Sequence, residues 1–61
     1  MAEVLSQNAQ EYIFECINCL ADKNYTAAKD CTEKANAIYR EINSYEGISV
    51  CLSLFAFIYY S

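Results

Sequence analysis

The chain has 61 residues, of which 56 % are hydrophobic and 20 % are charged, with one glycine and no proline. This length allows a single domain, and the apolar fraction is too high for a disordered segment. Tight β-turns need glycine and proline, so the composition predicts a small all-α fold instead of a many-stranded one. The net charge is −4 with only four basic residues, which argues against nucleic-acid binding, because that function needs clustered Lys and Arg.

The ends of the sequence bear on its compartment. The first residues lack the positive and apolar regions of a signal peptide. The apolar segment from Ile48 to Tyr60 is shorter than the roughly 20 residues that a membrane-spanning helix needs. We therefore expect a soluble cytoplasmic protein whose four cysteines are thiols.

Apolar residues recur at intervals of three and four in three stretches, which predict three antiparallel helices at about residues 3–21, 24–42 and 45–60. The first stretch has Leu5, Ala9, Tyr12, Ile13, Cys16, Ile17 and Leu20. The second has Tyr25, Ala28, Cys31, Ala35, Ile38, Tyr39 and Ile42, opposite a charged face. Together they indicate one helical domain over residues 1–61.

Two short polar segments join the predicted helices. Asn24 and Ser44 are typical N-caps, because their side-chain oxygens accept free backbone N–H groups of the next helix. Asn43 tolerates the left-handed conformation in which helices often end. On the charged face of the second helix, Asp30 precedes Lys34 by four residues, a pairing worth roughly 0.2–0.5 kcal/mol.

The third stretch is apolar nearly all round. One face has Ile48, Cys51, Leu52, Phe55, Ile58 and Tyr59, and a second has Val50, Leu54 and Phe57. A helix that is apolar all round is normally buried all round, and two neighbouring helices cover only part of it. We therefore expect a second copy or another protein to cover the rest. Val, Phe, Ile and Tyr also favour strands, so a strand over residues 50–60 is the alternative.

Small and aromatic residues occupy fixed positions in the second and third stretches. These positions are Tyr25, Ala28, Ala35, Leu52, Phe55, Ala56 and Tyr59. From Asn24 to Tyr59 the pattern resembles the tetratricopeptide repeat, with Tyr25-x-x-Ala28 in the second helix of one repeat. Leu52-x-x-Phe55-Ala56-x-x-Tyr59 is similar to the first helix of the next repeat.

A step back of 40 residues extends the resemblance to the first stretch. It matches Tyr12, Cys16 and Cys19 to Leu52, Ala56 and Tyr59, which gives about one and a half repeats over roughly residues 10–61. The chain departs from the family pattern at Glu15, at the Phe55-Ala56 pair and in lacking the proline between repeats. The resemblance implies a partner-facing inner side at Ile13, Ile17, Val50, Ser53 and Phe57. An unrelated three-helix bundle is the alternative fold.

The four cysteines are Cys16, Cys19, Cys31 and Cys51, and the chain has no histidine. A zinc site would need all four thiols, yet only the first two have the paired spacing of such sites. We interpret them as small buried hydrophobes at helix crossings. A disulfide or redox role and a metal site are the alternatives, and no cofactor is expected.

The sequence has no sign of a catalytic site. It lacks histidine and a glycine-rich phosphate loop. Glu11 and Glu15 lie four residues apart, and we interpret them as part of a solvated face, not as paired catalytic carboxylates. We therefore expect no enzyme.

Aromatic residues are the remaining candidates for function. Tyr12, Tyr25, Tyr39 and Tyr45 lie at core or repeat positions, and we interpret them as structural. The expected exposed apolar patch consists of Val50, Leu54, Phe57 and Tyr60.

These patterns predict a non-catalytic protein–protein interaction module. It self-associates through its third helices as a homo-oligomer, or it docks on a larger helical protein. One alternative is an obligate subunit or a fragment of a longer repeat protein, since the sequence stops at Tyr60-Ser61 without polar capping residues. Another is a membrane-associated peptide whose C-terminal helix inserts.

Overall fold

A computed structural model of the chain describes residues 2–60, with side chains from residue 3 onward. It has three helices, α1 (Ala2–Ala21), α2 (Tyr25–Glu41) and α3 (Tyr45–Tyr60), and residues 2–60 contain no strand. The predicted all-α fold is therefore confirmed, and the alternative strand over residues 50–60 is wrong. The predicted limits of α2 were one residue too wide at each end.

The two turns between the helices have the same backbone structure. Lys23 and Asn43 both have positive φ, at 59° and 57°. In each turn the next residue donates its N–H to a carbonyl five residues back, Asn24 to Cys19 and Ser44 to Tyr39, both at 2.8 Å. This is the Schellman arrangement that ends a helix with a left-handed residue. It confirms the prediction for Asn43.

The residues after the left-handed positions begin the next helices. The Asn24 Oδ1 accepts from the Ala27 N–H at 3.3 Å, and the Ser44 Oγ accepts from the Gly47 N–H at 3.4 Å. Both predicted N-caps are thus confirmed, and the same turn recurs after 20 residues, from Lys23 to Asn43.

Helices α1 and α2 pack closely through small side chains. Ala9 and Cys16 of α1 are fully buried, and the Cys16 Sγ lies 2.9 Å from the Thr32 Oγ1 of α2. One position earlier in α1, the Glu15 carboxylate accepts a long hydrogen bond from the Cys31 thiol at 3.7 Å. In the core, Ala9 packs with Ala35, whereas Cys16 packs with Ala28. Low positions in α1 therefore meet high positions in α2, so the two helices are antiparallel.

Helix α3 packs against the other flank of α2. Gly47 lies directly against the ring of buried Tyr39, and the Lys29 Nζ lies 5.8 Å from the centre of the Tyr59 ring. Low positions in α2 therefore meet high positions in α3, which makes this pair antiparallel too. Helix α2 is the central element, since its main contacts are with both α1 and α3.

The core consists of two clusters that each draw on all three helices. One is formed by Ala9, Ala35, Tyr39 and Cys51, and the other by Cys16, Ala28 and Ile58. Most of these side chains are small, so the helices approach closely and little apolar volume is buried between them. Large apolar side chains are left at the edges of the core.

The solvent face of α2 carries the charges that its sequence pattern predicts. The Lys34 Nζ lies 3.2 Å from the Asp30 Oδ2, and the Lys29 Nζ lies 4.0 Å from the Glu33 Oε1. Both pairs are exposed and four residues apart, so each contributes little to stability. The predicted Asp30–Lys34 pair is confirmed.

Candidate interaction surface

Helix α3 has one narrow covered face. Gly47, Cys51 and Ile58 are buried, and at about 100° per residue they fall within an arc of about 40°. The rest of the helix carries large apolar side chains that are between 46 % and 91 % exposed, namely Tyr45, Val50, Leu52, Phe57, Tyr59 and Tyr60. Apart from Tyr60, these residues lie on two separate surfaces outside the covered arc.

The first surface, here called the groove face, consists of Ile13, Ile17, Val50, Leu54 and Phe57. On α3, these residues lie on the side of the covered arc away from Tyr59, whose ring meets Lys29 of α2. On α1, they lie on the side of buried Cys16 away from Glu15, which meets Cys31 of α2. Ile13 and Leu54 are half-buried against the two core clusters. Ile17, Val50 and Phe57 are about half exposed and form its open rim.

The groove face contains most of the predicted partner-binding residues. Val50, Phe57 and Tyr60 are exposed as expected, but Leu54 is half-buried against the cluster around Cys16, so it is not part of an exposed patch. Ser53 is exposed, and its Oγ donates to the Ser49 carbonyl at 3.1 Å. Ser53 and Tyr60 lie about 40° and 60° round α3 from Phe57, which places them beside the groove face and not in it.

The second surface, here called the outer seam, consists of Tyr45, Ser49, Leu52, Ala56 and Tyr59. All five are exposed, and their arc is centred about 140° from the covered arc of α3. The interpretation of Tyr45 as structural was wrong, since this side chain is 80 % exposed, and Leu52 and Tyr59 are 60 % and 65 % exposed as well.

The spacing of the outer seam is a signal that the sequence analysis missed. Its residues follow one another at intervals of four, three, four and three, the period of a helix that pairs with one other helix. The four tyrosines that we interpreted as structural also differ widely in burial. Tyr39 is buried and Tyr12 is half-buried, whereas Tyr25 is exposed at the start of α2.

Tyr59 is exposed but held in place. Its ring stacks on that of Phe55 at a centroid distance of 6.3 Å and an interplanar angle of 20°. From the opposite helix, the Lys29 ammonium lies within the range of a cation–π interaction. A ring that is already restrained loses little rotational freedom when a partner covers it.

The four cysteines all carry free thiols. Cys16 and Cys51 are fully buried, as expected for small hydrophobes at helix crossings, while Cys19 and Cys31 are half-buried. Among residues 2–60 there is no group of three or more His, Cys, Asp and Glu side chains that could hold a metal ion.

Burial also makes two thiols poor nucleophiles. It raises the pKa of Cys51 to about 11, and Cys16 nearby adds to the shift. The pKa of Cys31 is raised by burial and by the negative charges that Cys19 and Glu15 can carry. Since the thiolate is the reactive form, both thiols are unreactive near neutral pH.

Glu11 and Glu15 of α1 border an open depression of about 360 Å³. Its lining residues are Asn8, Glu11, Tyr12, Glu15 and Ile38. Glu11 and Glu15 are exposed, as expected for a solvated face, and the Lys34 ammonium lies 5.8 Å from the centre of the Tyr12 ring. Water therefore reaches both carboxylates.

Comparison with protein-family models, with curated proteins and with solved structures finds no match to this chain. Among the described residues, none of the helices combines the length and the apolar character that crossing a membrane requires.

Proposed function

We propose that this chain is a non-catalytic protein–protein interaction module whose third helix associates with a second copy or docks on a larger helical protein. The proposal depends mainly on one observation, that α3 is far more apolar than its small buried face requires. From Gly47 to Tyr60 this helix has no charged residue, yet only Gly47, Cys51 and Ile58 are buried. Exposed apolar surface of this extent is typical of interaction sites.

The chemistry of the exposed side chains supports the same function. Phe57, Tyr59 and Tyr60 offer large apolar areas, and the two tyrosines add a hydroxyl that tolerates water at the edge of an interface. Aromatic side chains of this kind contribute most of the binding energy in many protein interfaces.

We also propose that the helices are units of a tetratricopeptide-like array. The recurrence of the same capped turn after 20 residues supports this organisation, because it gives helix–turn–helix units of constant length. A unit in such an array covers its apolar face with the next unit, and the exposed apolar side chains of α3 form a surface of that kind.

Sedimentation analysis over a wide concentration range tests the proposed function. We expect reversible assembly of the wild-type chain and loss of assembly in a Leu52→Glu/Phe57→Glu double variant, which places a charge on each exposed surface of α3. The control is a Gln7→Glu/Ala37→Glu double variant, since it adds the same two charges at exposed positions of α1 and α2. A folded chain that is monomeric at every concentration and binds no hydrophobic dye would contradict the proposal.

A further inference from the structure

The outer seam has a symmetric order of side-chain sizes. Along α3 it runs aromatic, small, aliphatic, small, aromatic: Tyr45, Ser49, Leu52, Ala56, Tyr59. The order is the same from either end, with Leu52 at the centre. A surface that meets a copy of itself across a twofold axis must be self-complementary in this way.

An antiparallel pair of α3 helices fits this order. If the axis passes at Leu52, Tyr45 of one chain lies level with Tyr59 of the second copy, and Ser49 lies within one residue, about 1.5 Å along the helix, of Ala56. Small residues then face small residues, so the two backbones approach closely. Aromatic rings face aromatic rings at both ends, where they close the contact.

The distribution of charge also favours a second copy as the occupant. The only charged residue of α3 is Glu46, in its first turn, so two chains of net charge −4 can meet along this seam without burying a carboxylate. Stacking of α3 on α1 of another chain is less favourable. Glu3, Glu11 and Glu15 are exposed on α1, and covering them would leave carboxylates desolvated and unpaired.

We propose that the outer seam binds the outer seam of a second copy of this chain, with the two α3 helices antiparallel about a twofold axis at Leu52. This inference rests on the proposed function and narrows it to one partner and one face. The contact is one helix of 16 residues, about 24 Å long, which is small for a permanent interface. The dimer is therefore reversible and depends on concentration.

Matched glutamate variants of α3 test which face forms the dimer. Leu52 and Phe57 are 60 % and 58 % exposed and lie on different surfaces of the same helix. We expect Leu52→Glu to weaken dimerisation at least tenfold in sedimentation equilibrium, and Phe57→Glu to change it less than threefold. Circular dichroism verifies that each variant is folded, and Ala56→Glu provides a second charge in the seam if Leu52→Glu disturbs the helix.

The outcomes separate this inference from the proposed function. If Phe57→Glu dissociates the assembly and Leu52→Glu does not, the groove face is the interface, so the inference is wrong while the function stands. A wild-type chain that stays monomeric and binds no hydrophobic dye contradicts both.

A photo-crosslinking side chain, p-benzoylphenylalanine, at position 45 tests the orientation. In an antiparallel dimer it attaches to the region of Tyr59 in the second copy, which mass spectrometry of the digested product identifies. Attachment near position 45 of the second copy would show a parallel pair and overturn the proposed geometry.

Discussion

Helices α2 and α3 have nearly the same length, 17 and 16 residues, but very different cover. In α2 the buried residues form one apolar stripe between α1 and α3, and the opposite face carries its ion pairs. In α3 the covered arc is a small part of an apolar circumference. The comparison shows that the fold buries the apolar face of α2 but leaves most of the apolar side chains of α3 exposed.

The contact between α2 and α3, here called the joint, depends on a glycine of α3. The ring of Tyr39 occupies the space beside Gly47 where another residue would place its Cβ. This close approach brings Cys51 into the core with Tyr39 and Ala35. The predictions below change this joint, and they are given in order of decreasing effect on the free energy of unfolding.

Gly47→Ala should break the joint between α2 and α3. In an open helix this change stabilises by about 1 kcal/mol, but here the added methyl overlaps the buried Tyr39 ring close to its attachment point. We expect a net loss of about 2 kcal/mol, typical of overpacking, in urea-induced unfolding followed by circular dichroism.

Two further variants control this experiment. Ser53→Ala on the exposed side of α3 should change stability by only a few tenths of a kcal/mol, since it alters helix propensity and removes only an exposed hydrogen bond to the Ser49 carbonyl. Tyr39→Leu in the Gly47→Ala background should recover part of the loss, as a double-mutant cycle would show. A stabilising effect of Gly47→Ala would mean that α3 does not pack as closely as described.

Alkaline pH should lower the stability of the fold through Cys51, which lies in the covered arc of α3. The folded-state pKa of Cys51 is about 11 and its ordinary value is 9.0, so below pH 9 the thiol is protonated in both states and stability is complete. Between pH 9 and 11 the unfolded chain releases this proton and the folded chain retains it. The free energy of unfolding should therefore fall by about 1–2 kcal/mol over that range, as urea titrations at each pH would show.

The alkaline loss has its own control. Cys51→Ala removes the thiol, so the fall between pH 9 and 11 should be smaller in this variant, whatever its stability at pH 7. Burial also raises the pKa of Tyr39, so some loss should remain at the upper end of the range. If the free energy of unfolding fell equally in the variant and the wild type, Cys51 would be more accessible to water than its burial indicates.

The sequence predicted the parts of the fold that local chemistry determines. The N-caps at Asn24 and Ser44 and the left-handed Asn43 depend on side-chain and backbone preferences within a few residues. The stripe of α2 was equally clear, because its apolar and charged residues alternate with the helical period. Lys23 was missed as a left-handed residue, since lysine has no special preference for that conformation.

The face that α3 presents to α2 could not be predicted in the same way. Nearly every position of α3 is apolar, so periodicity does not indicate which arc is covered. The pattern placed Leu52 and Tyr59 on the same face as Cys51, whereas the structure exposes both of them. It buries the small Gly47 and Cys51, which pack against Tyr39. The exposure of Val50 and Phe57 was predicted, and what binds there is still a prediction.

Asn36 provides the smallest and most local test of the joint. This residue is half-buried, and its Oδ1 is buried without a hydrogen-bond partner. Lys29 meets Tyr59, and Asn36 is two turns further along α2, so in the antiparallel register it lies across from Leu52.

We expect Asn36→Leu to raise the free energy of unfolding by about 0.5–1 kcal/mol, because it removes an unpaired buried acceptor and adds apolar contact at the edge of α3. Asn36→Asp should destabilise, since it places a charge in the same position. Thermal unfolding of both variants checks the pair, and a loss of stability in Asn36→Leu would show that the amide has a partner in solution.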